Sequence, residues 1–338
     1  MIDLRSDTIT KPTKEMLEAM MTAEVGDDVF GDDPTINGLQ EKVAEMFGMD
    51  AAIYCPSGTM TNQIAMRVVT RPQDEVICHK FSHVYLYEGG GMMYNSMLSP
   101  KLLDGNRGKI TAAQIAESVN PDDVHFPHTQ LVVLENTMNK GGGSVYHLDE
   151  IKSVREVCDE KKLKLHLDGA RLFNAIVETG DAPSEYGRLF DTISLCFSKG
   201  LGAPVGSVLI GNKEVIKQAR RVRKALGGGM RQAGYLAAAC IYALDHHVDR
   251  LKEDHARAGQ IAEMLKECHF IEEVMPVDTN IVIAQLSEEY DEQWFLTQLK
   301  QEGVLAVAFG KRLVRFVTHL NFDDDQLDLL RDKLKAIS

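Results

Sequence analysis

Short runs of apolar and β-branched residues alternate along the first two thirds of the chain with longer stretches in which apolar residues recur every three or four positions. The first pattern is typical of buried strands and the second of amphipathic helices, as at 147–162, HLDEIKSVREVCDEKK. Their alternation predicts an α/β fold with a mostly parallel sheet covered by helices. The predicted strands are AAIYC (51–55), EVICH (75–79), QLVVLE (130–135), LKLHLD (163–168), TISLCF (192–197) and GSVLIG (206–211).

The pattern changes after GSVLIG and becomes almost entirely helical as far as Cys268, with a glycine-rich break at 227–229. The remaining sequence contains short apolar runs, an amphipathic stretch around DEQWFLTQLKQ and a final helical pattern from about Asp324, and it predicts a small α+β domain. We therefore expect two domains, a large one at 1–247 that includes an N-terminal arm, and a small C-terminal one at 248–338.

Composition narrows the possible functions. With 44% hydrophobic and 26% charged residues in 338, the chain has the composition of a globular protein, and its net charge of −13 argues against nucleic acid or an anionic membrane as the main partner. No segment has the apolar length of a membrane span or the character of a signal peptide, so we expect a cytoplasmic protein. Six cysteines without metal-site or disulfide spacing are interpreted as reduced and structural.

Lys199 stands out because it follows a predicted buried strand and is surrounded by small residues, in CFSKGLGAPVGS. A lysine in such a loop can simply extend to solvent. Alternatively, a desolvated lysine loses its proton more easily and becomes a nucleophile toward an aldehyde.

Asp168, in HLDGAR, ends another predicted strand and also has small neighbours. Ligands of open α/β sheets lie at the carboxyl ends of strands, so Asp168 and Lys199 are expected to face one cleft. Enzymes that use pyridoxal 5'-phosphate need this pair, because an aspartate keeps the pyridine nitrogen protonated and a lysine holds the aldehyde. Taken alone, Asp168 could equally cap a helix.

A phosphate site is predicted at PSGTMTN, 56–62, which lies between a strand and a helix. Backbone N–H groups of Gly58 and Thr59, with a hydroxyl of Ser57 or Thr59, could bind a phosphate at the positive end of that helix. The alternative is that the hydroxyl only caps the helix.

The chain resembles the L-threonine aldolases, in particular the low-specificity kind. These are pyridoxal phosphate enzymes of the aspartate aminotransferase fold, also called fold type I. The motifs that carry the resemblance run from end to end: DLRSDTIT (3–10), GDDVFGDDP (26–34), SGTMTN (57–62), LENT (134–137), HLDGAR (166–171), FSKGLGAPVGS (197–207), GGGMRQAG (227–234) and RFVTH (315–319). The resemblance implies a seven-stranded type of sheet, a homotetramer with shared active sites, and cleavage of L-threonine and L-allo-threonine to glycine and acetaldehyde.

The resemblance also implies roles for individual residues. Lys199 would form the Schiff base, Asp168 would pair with the pyridine nitrogen, and His83 would stack on the ring. The expected phosphate ligands are Ser57, Gly58 and Thr59, with Lys224 and Arg231 reaching from a neighbouring subunit. Arg171 and Arg315 would bind the substrate carboxylate with Ser6, Arg171 also lying against the cofactor. His83 and His125 are both candidates for the base that accepts the proton of the substrate hydroxyl, if necessary through a water.

Two departures from the family pattern concern specificity: Met138 stands where a histidine is common, and His128 where arginine is often found. We expect both to alter substrate preference without abolishing activity.

The histidines His79 and His83 have HxxxH spacing, but the glutamate of HExxH is missing, so no metal is expected. The doubled aspartates at 27–28 and 32–33 are interpreted as turn residues, and His246, His247, His255 and His269 as solvated.

Three alternatives remain open from the sequence. The same cofactor could serve β-elimination or racemisation, the chain could be a non-catalytic homologue, or Lys199 could attack a substrate carbonyl without any cofactor. The last alternative leaves the phosphate site and Asp168 unexplained.

Overall fold

The computed structural model of the chain describes residues 1–337. The strands in that range are β1 (Ile2–Asp3), β2 (Ala51–Cys55), β3 (Glu75–His79), β4 (Ser99–Leu103), β5 (Thr129–Glu135), β6 (Lys164–Gly169), β7 (Thr192–Cys196), β8 (Ser207–Gly211), β9 (Ile271–Val274), β10 (Ile281–Leu286), β11 (Val304–Leu305), β12 (Val307–Gly310) and β13 (Leu313–Val317). The helices are α1 (Lys14–Met21), α2 (Pro34–Phe47), α3 (Gly58–Val69), α4 (His83–Leu86), α5 (Gly91–Ser96), α6 (Ala112–Ser118), α7 (Leu148–Lys161), α8 (Leu172–Thr179), α9 (Pro183–Leu189), α10 (Lys213–Ala225), α11 (Gly234–His246), α12 (Leu251–Lys266), α13 (Glu292–Gln301) and α14 (Asp324–Ile337).

The large sheet has seven strands in the order β2-β8-β7-β6-β5-β3-β4. All neighbours are parallel except β8, which runs antiparallel to both β2 and β7. The predicted α/β fold and all six predicted strands are confirmed. The seventh strand, β4, was not predicted because it lies at the sheet edge, contains Pro100 and is only partly buried, which are features that edge strands tolerate.

The register of the central strands places the candidate residues at one edge of this sheet. Glu135 at the end of β5 lies opposite Asp168 near the end of β6, and Asp168 lies opposite Ser194 on β7, whose chain continues to Lys199. Parallel strands present their carboxyl ends together, so the polar residues that follow them converge.

A second core lies around the four-stranded antiparallel sheet β12-β13-β10-β9, covered by α12, α13 and α14. The start of the chain belongs to this core as well, because β1 pairs in parallel with β11, and Ile2 and Leu4 are buried among its residues. The N-terminal arm therefore packs mainly with the C-terminal residues. The domain boundary at residue 247 stays a prediction.

In residues 1–337, no helix combines the length and the apolar character needed to cross a membrane.

The doubled aspartates have distinct structural roles. Asp33 caps α2, whose first residue is Pro34, and also accepts a hydrogen bond from the backbone N–H of Gly234. Asp28 is buried and accepts a hydrogen bond of 2.6 Å from Arg223, which donates a second one to the carbonyl of Tyr54. The pair joins the 26–33 turn to α10, beside β2.

Replacing Asp28 by alanine is expected to destabilise the protein by about 3–5 kcal/mol, because the charge of Arg223 would remain buried without its partner. Urea denaturation of the cofactor-free protein measures this change. Asp328→Ala is the matched control, since Asp328 pairs with Arg331 on the exposed surface of α14, where such pairs contribute less than about 1 kcal/mol. Equal effects of the two substitutions would contradict the role assigned to the Asp28–Arg223 pair.

Candidate active site

A cavity of about 370 Å³ lies between the carboxyl edge of the large sheet and strand β12. The structure brings together in its lining several of the residues predicted from sequence: Ser6, His83, Arg171, Lys199 and Arg315. His83 is the one histidine of that lining. The cavity therefore joins residues from the N-terminal arm, the large sheet and the small sheet.

Lys199 is half-buried at this cavity, and within residues 1–337 its amino group has no hydrogen-bond or ion-pair partner. The backbone around it is fixed by three carbonyl contacts. The hydroxyl of Thr10 donates to the carbonyl of Lys199 at 3.0 Å, Arg250 donates to that of Gly200 at 3.4 Å, and Nδ1 of His247 donates to that of Leu201 at 2.7 Å. The lysine side chain thus extends to the cavity from a turn whose backbone is held by three hydrogen bonds.

His247 was expected to be solvated, and that interpretation is wrong because the ring is buried against the turn after Lys199. His255 is also largely enclosed, between Asn174 and Glu178.

Asp168 is buried, and a chain of hydrogen bonds sets its orientation. Its Oδ2 accepts a hydrogen bond of 2.9 Å from Asn62, the amide oxygen of which lies 3.0 Å from Nε2 of His166. Burial lowers the pKa of His166 to about 4, so the ring is neutral. Its Nε2–H donates to the amide oxygen of Asn62, and its Nδ1 lies 2.8 Å from the hydroxyl and 3.1 Å from the carbonyl oxygen of Thr192. Asn62, the last residue of SGTMTN, was not assigned a role from the sequence.

His83 sits at the start of α4, where Nδ1 lies 3.0 Å from Glu88. Burial disfavours the charged ring, but the hydrogen bond to Glu88 and the nearby carboxylates of Asp168 and Glu135 raise the pKa of His83 above its ordinary value. Glu88 in turn accepts hydrogen bonds from Asn62 and Gln63. The carboxylate of Glu88 therefore fixes the position of the His83 ring at the cavity.

Ligand atoms of His83, Glu88 and Asp168 lie within 4.8 Å of one another. Glu88 is already hydrogen-bonded to His83 and Asn62, and Asn62 also bonds Asp168. These contacts account for the proximity of the three groups without an ion, and the absence of a catalytic metal remains a prediction.

Glu135 was not assigned a role from the sequence, although it belongs to the LENT motif. Its two carboxylate oxygens accept backbone hydrogen bonds from His83 at 2.8 Å and Asn139 at 2.9 Å. Burial, reinforced by the neighbouring charge of Asp168, raises the pKa of Glu135 to about 7. Since Asn139 accepts a hydrogen bond from Arg315, Glu135 supports two opposite walls of the cavity.

The beginning of α3 has the properties that a phosphate site requires. Ser57 caps the helix by accepting the backbone N–H of Met60, and the N–H groups of Gly58 and Thr59 have no acceptor in the described part of the chain. A side chain at residue 58 would lie 2.4 Å from Sγ of Cys196, so only glycine lets α3 approach the end of β7. Two free donors at a helix N-terminus next to the Lys199 turn fit an anionic group.

The two predicted carboxylate-binding arginines have different surroundings. Arg171 is buried and bidentate to Asp7, with both hydrogen bonds at 2.7 Å. Burial alone would raise the pKa of Asp7, but Arg171 and Lys199 hold it well below its ordinary value. Arg315 donates to Asn139 and to the carbonyl of Arg5, while its buried Nε has no partner. Burial and the charge of Arg171 lower the pKa of Arg315 to about 10, so it remains cationic at neutral pH.

The other residues predicted from sequence lie outside the cavity. His125 is exposed in the segment before β5 and contacts Asp123. His128 lies at the amino-terminal end of β5 and pairs weakly with Asp74, at the opposite edge of the sheet. Lys224 and Arg231 are exposed, and Arg231 pairs with Asp27.

Met138 is fully buried and packs beside Gly108, where a Cβ would lie 2.2 Å from its Cγ. Met138 and His128 therefore have no direct contact with the cavity of the same chain. Within one chain, any effect of these two residues on substrate preference has to be indirect.

Comparisons with known proteins show similarity over almost the whole chain. The beta-eliminating lyase family model matches residues 3–289. The chain is 45% identical to the low specificity L-threonine aldolase of Escherichia coli K12 over 97% of this chain and 96% of that protein. It is 38% identical to low-specificity L-threonine aldolase 1 of Arabidopsis thaliana over 94% and 91% of the two chains. The structure of Leishmania major threonine aldolase superposes with a TM-score of 0.86 at 21% identity, covering 100% of this chain and 99% of that one.

Glu135→Gln is expected to change how stability depends on pH. A carboxyl group whose pKa is raised in the folded protein stabilises the fold when protonated, and this contribution is lost as the pH rises from about 4.5 to about 7. We expect the wild-type protein to lose on the order of a few kcal/mol across that range, and the glutamine variant to lose clearly less. Denaturation midpoints of both cofactor-free proteins at pH 5 and pH 7.5 provide the measurement. Parallel pH profiles would show that Glu135 is ionised throughout.

Proposed function

Because this chain belongs to the beta-eliminating lyase family and, within it, to the low-specificity L-threonine aldolases, we propose that it cleaves L-threonine and L-allo-threonine to glycine and acetaldehyde with pyridoxal 5'-phosphate. The observation that carries the proposal is the unpartnered amine of Lys199 at a cavity whose neighbouring strand ends in the buried carboxylate of Asp168. Asp168 accepts a hydrogen bond from Asn62, and the amine of Lys199 has no hydrogen-bond or ion-pair partner in residues 1–337. An aldehyde and a protonated ring nitrogen on one ligand would use both groups.

Pyridoxal phosphate, when bound, supplies an electron sink for the pair of electrons released as the Cα–Cβ bond breaks. Lys199 would hold the cofactor through its aldehyde carbon. Asp168, oriented by Asn62, would accept the hydrogen bond of the protonated pyridine nitrogen. His83 would cover the ring, and the N–H groups of Gly58 and Thr59 with the hydroxyl of Ser57 would bind the phosphate.

Arg315 is the proposed anchor of the substrate carboxylate. Its guanidinium is positioned by Asn139 and by the carbonyl of Arg5, and its free Nε offers a further donor. Ser6 is two residues from Thr8, with which it shares a hydrogen bond at the cavity wall, and would contribute a polar contact. Arg171 is held by Asp7 and would contact the cofactor and the carboxylate through its remaining Nη1.

The reaction needs a base that removes the proton of the β-hydroxyl group, after which the aldehyde leaves and Cα is protonated to give glycine. His83 is the base candidate that the cavity lining contains, and Glu88 keeps its ring in place. His125 is the second candidate, directly or through a water, and would have to approach from the exposed segment in which it lies, which requires a neighbouring subunit.

A homotetramer with shared active sites is proposed for two reasons. Large apolar side chains are exposed together on the segment that follows β3, namely Phe81, Tyr85, Leu86, Tyr87, Met93, Tyr94 and Met97, with Tyr94 88% exposed. A cluster of this kind marks a protein interface. The second reason is that Lys224 and Arg231 are exposed, so the same two residues of a neighbouring subunit could reach the phosphate site of this one.

The decisive assay offers L-threonine and L-allo-threonine to the cofactor-loaded protein and measures acetaldehyde and glycine. Release of both products in equal amounts from each substrate is expected. Lys199→Ala should lower this activity by more than about a thousandfold, the usual scale for loss of a covalent catalyst, and should abolish trapping of the cofactor by borohydride. If the wild-type protein instead forms pyruvate from serine or D-alanine from L-alanine without releasing acetaldehyde, it is an eliminase or a racemase.

Arg315→Ala is expected to raise KM for threonine about 10- to 100-fold, because charge-assisted hydrogen bonds to the carboxylate are lost. The absorption spectrum of the bound cofactor should not change. Arg331→Ala is a suitable control, since Arg331 pairs with Asp328 on the exposed surface of α14. A variant that no longer retains the cofactor would place Arg315 at the cofactor and not at the substrate.

A further inference from the structure

The cavity carries more positive charge than the proposed reaction of threonine requires. Besides His83, its lining contains four lysine and arginine side chains: Lys140, Arg171, Lys199 and Arg315. Arg171 is neutralised by Asp7, Lys199 is assigned to the cofactor and Arg315 to the substrate carboxylate. Lys140 has no such role.

Lys140 follows β5 and reaches across the cavity toward the small sheet. Its Nζ donates a hydrogen bond of 2.8 Å to the carbonyl of Phe309 and lies 3.8 Å from the centroid of the phenylalanine ring. In residues 1–337 it forms no ion pair with a carboxylate. An ammonium group has three donors, so two remain available to a ligand.

Lys140 and Arg315 are neighbours at the cavity. The guanidinium carbon of Arg315 lies 4.6 Å from the same phenylalanine ring. Two cations beside one ring, with no acidic side chain between them in the cavity lining, repel each other and attract a ligand that carries two anionic groups. If Arg315 binds the α-carboxylate, Lys140 is left facing the substrate side chain.

We propose that Lys140 binds an anionic group on the substrate side chain, so that the site accepts β-hydroxy-α-amino acids with a second carboxylate, such as 3-hydroxyaspartate. The inference rests on the proposed aldol cleavage and specifies its substrate class. The β-hydroxyl proton goes to the base, the Cα–Cβ bond breaks, and Cα takes up a proton, so the products are glyoxylate and glycine and no oxidant is needed.

A structural role of Lys140 has to be separated from this one, because the lysine also links Phe309 of β12 to the segment after β5. Lys140→Gln removes the charge and keeps a side-chain donor for the carbonyl of Phe309. Lys109→Gln is the control: Lys109 also donates to a backbone carbonyl, that of Val145, and lies 5.6 Å from an aromatic centroid, but away from the cavity. Lys109 differs from Lys140 in that it also pairs with Glu150.

The first test measures binding and is independent of cleavage. L-Aspartate and L-alanine have no β-hydroxyl group, so calorimetry of the cofactor-loaded protein compares ligands that differ in the second carboxylate. We expect L-aspartate to bind more tightly than L-alanine to the wild type, and Lys140→Gln to reduce that preference about tenfold or more, the usual scale for a hydrogen bond between charged groups. An unchanged preference in Lys140→Gln, or the same loss in Lys109→Gln, would overturn the proposal.

The second test measures glyoxylate release from L-threo- and L-erythro-3-hydroxyaspartate beside acetaldehyde release from L-threonine. Lys140→Gln should lower kcat/KM for a hydroxyaspartate about tenfold or more and change that for threonine less than about twofold. Equal losses for both substrates would assign Lys140 a structural role and refute the inference, as would wild-type cleavage of threonine alone. If threonine itself is not cleaved, the proposed function fails, while the aspartate measurement still decides the role of Lys140.

Discussion

The ion pair between Asp7 and Arg171 connects the parts of the molecule that form the cavity. Arg171 follows β6 in the large sheet, and Asp7 belongs to an arm whose first residues are buried in the small-sheet core. The same arm contributes Ser6 to the cavity lining and, through Thr10, a hydrogen bond to the turn of Lys199. Because both charges are buried, each depends on the other, and separating the arm from the sheet would expose the cavity while leaving Arg171 unpaired.

Charge is distributed in two layers around the cavity. Carboxylates lie beneath it, with Glu135 and Asp168 side by side on β5 and β6 and Glu88 against His83. Cations line its other walls. The neighbouring carboxylates raise the pKa of His83, and burial together with the charge of Asp168 raises that of Glu135. On the opposite side, burial and the charge of Arg171 lower the pKa of Arg315. The proposed cofactor, an anionic, phosphorylated ligand with a cationic ring nitrogen, would match this arrangement, because each of its charges would face the opposite one.

The sequence predicted the parts of the site that depend on local pattern. Strand ends followed by small residues located Asp168 and Lys199, and the parallel pairing of β6 with β7 puts both at the same edge of the sheet. Contacts between distant segments could not be read in this way: the hydrogen bonds of Glu135 to His83 and of Asn62 to Asp168 join residues far apart in sequence. The likeness to a family suggested that His125 belongs to the site, but within one chain this histidine is exposed outside the cavity. A motif match does not show whether a loop contributes to the site of its own chain or to that of a neighbouring one.

The reactivity of the cysteines would report how readily the fold opens. All six are buried, and burial raises the pKa of Cys55 and Cys158 to about 12 and that of Cys78 to about 11. Thiolates, which are the forms that alkylating reagents attack, are therefore scarce in the folded chain. Cys196 adds a local report, because its sulfur lies where the beginning of α3 touches the end of β7. The rate at which Cys196 is alkylated would therefore report local opening of the site, separately from global unfolding.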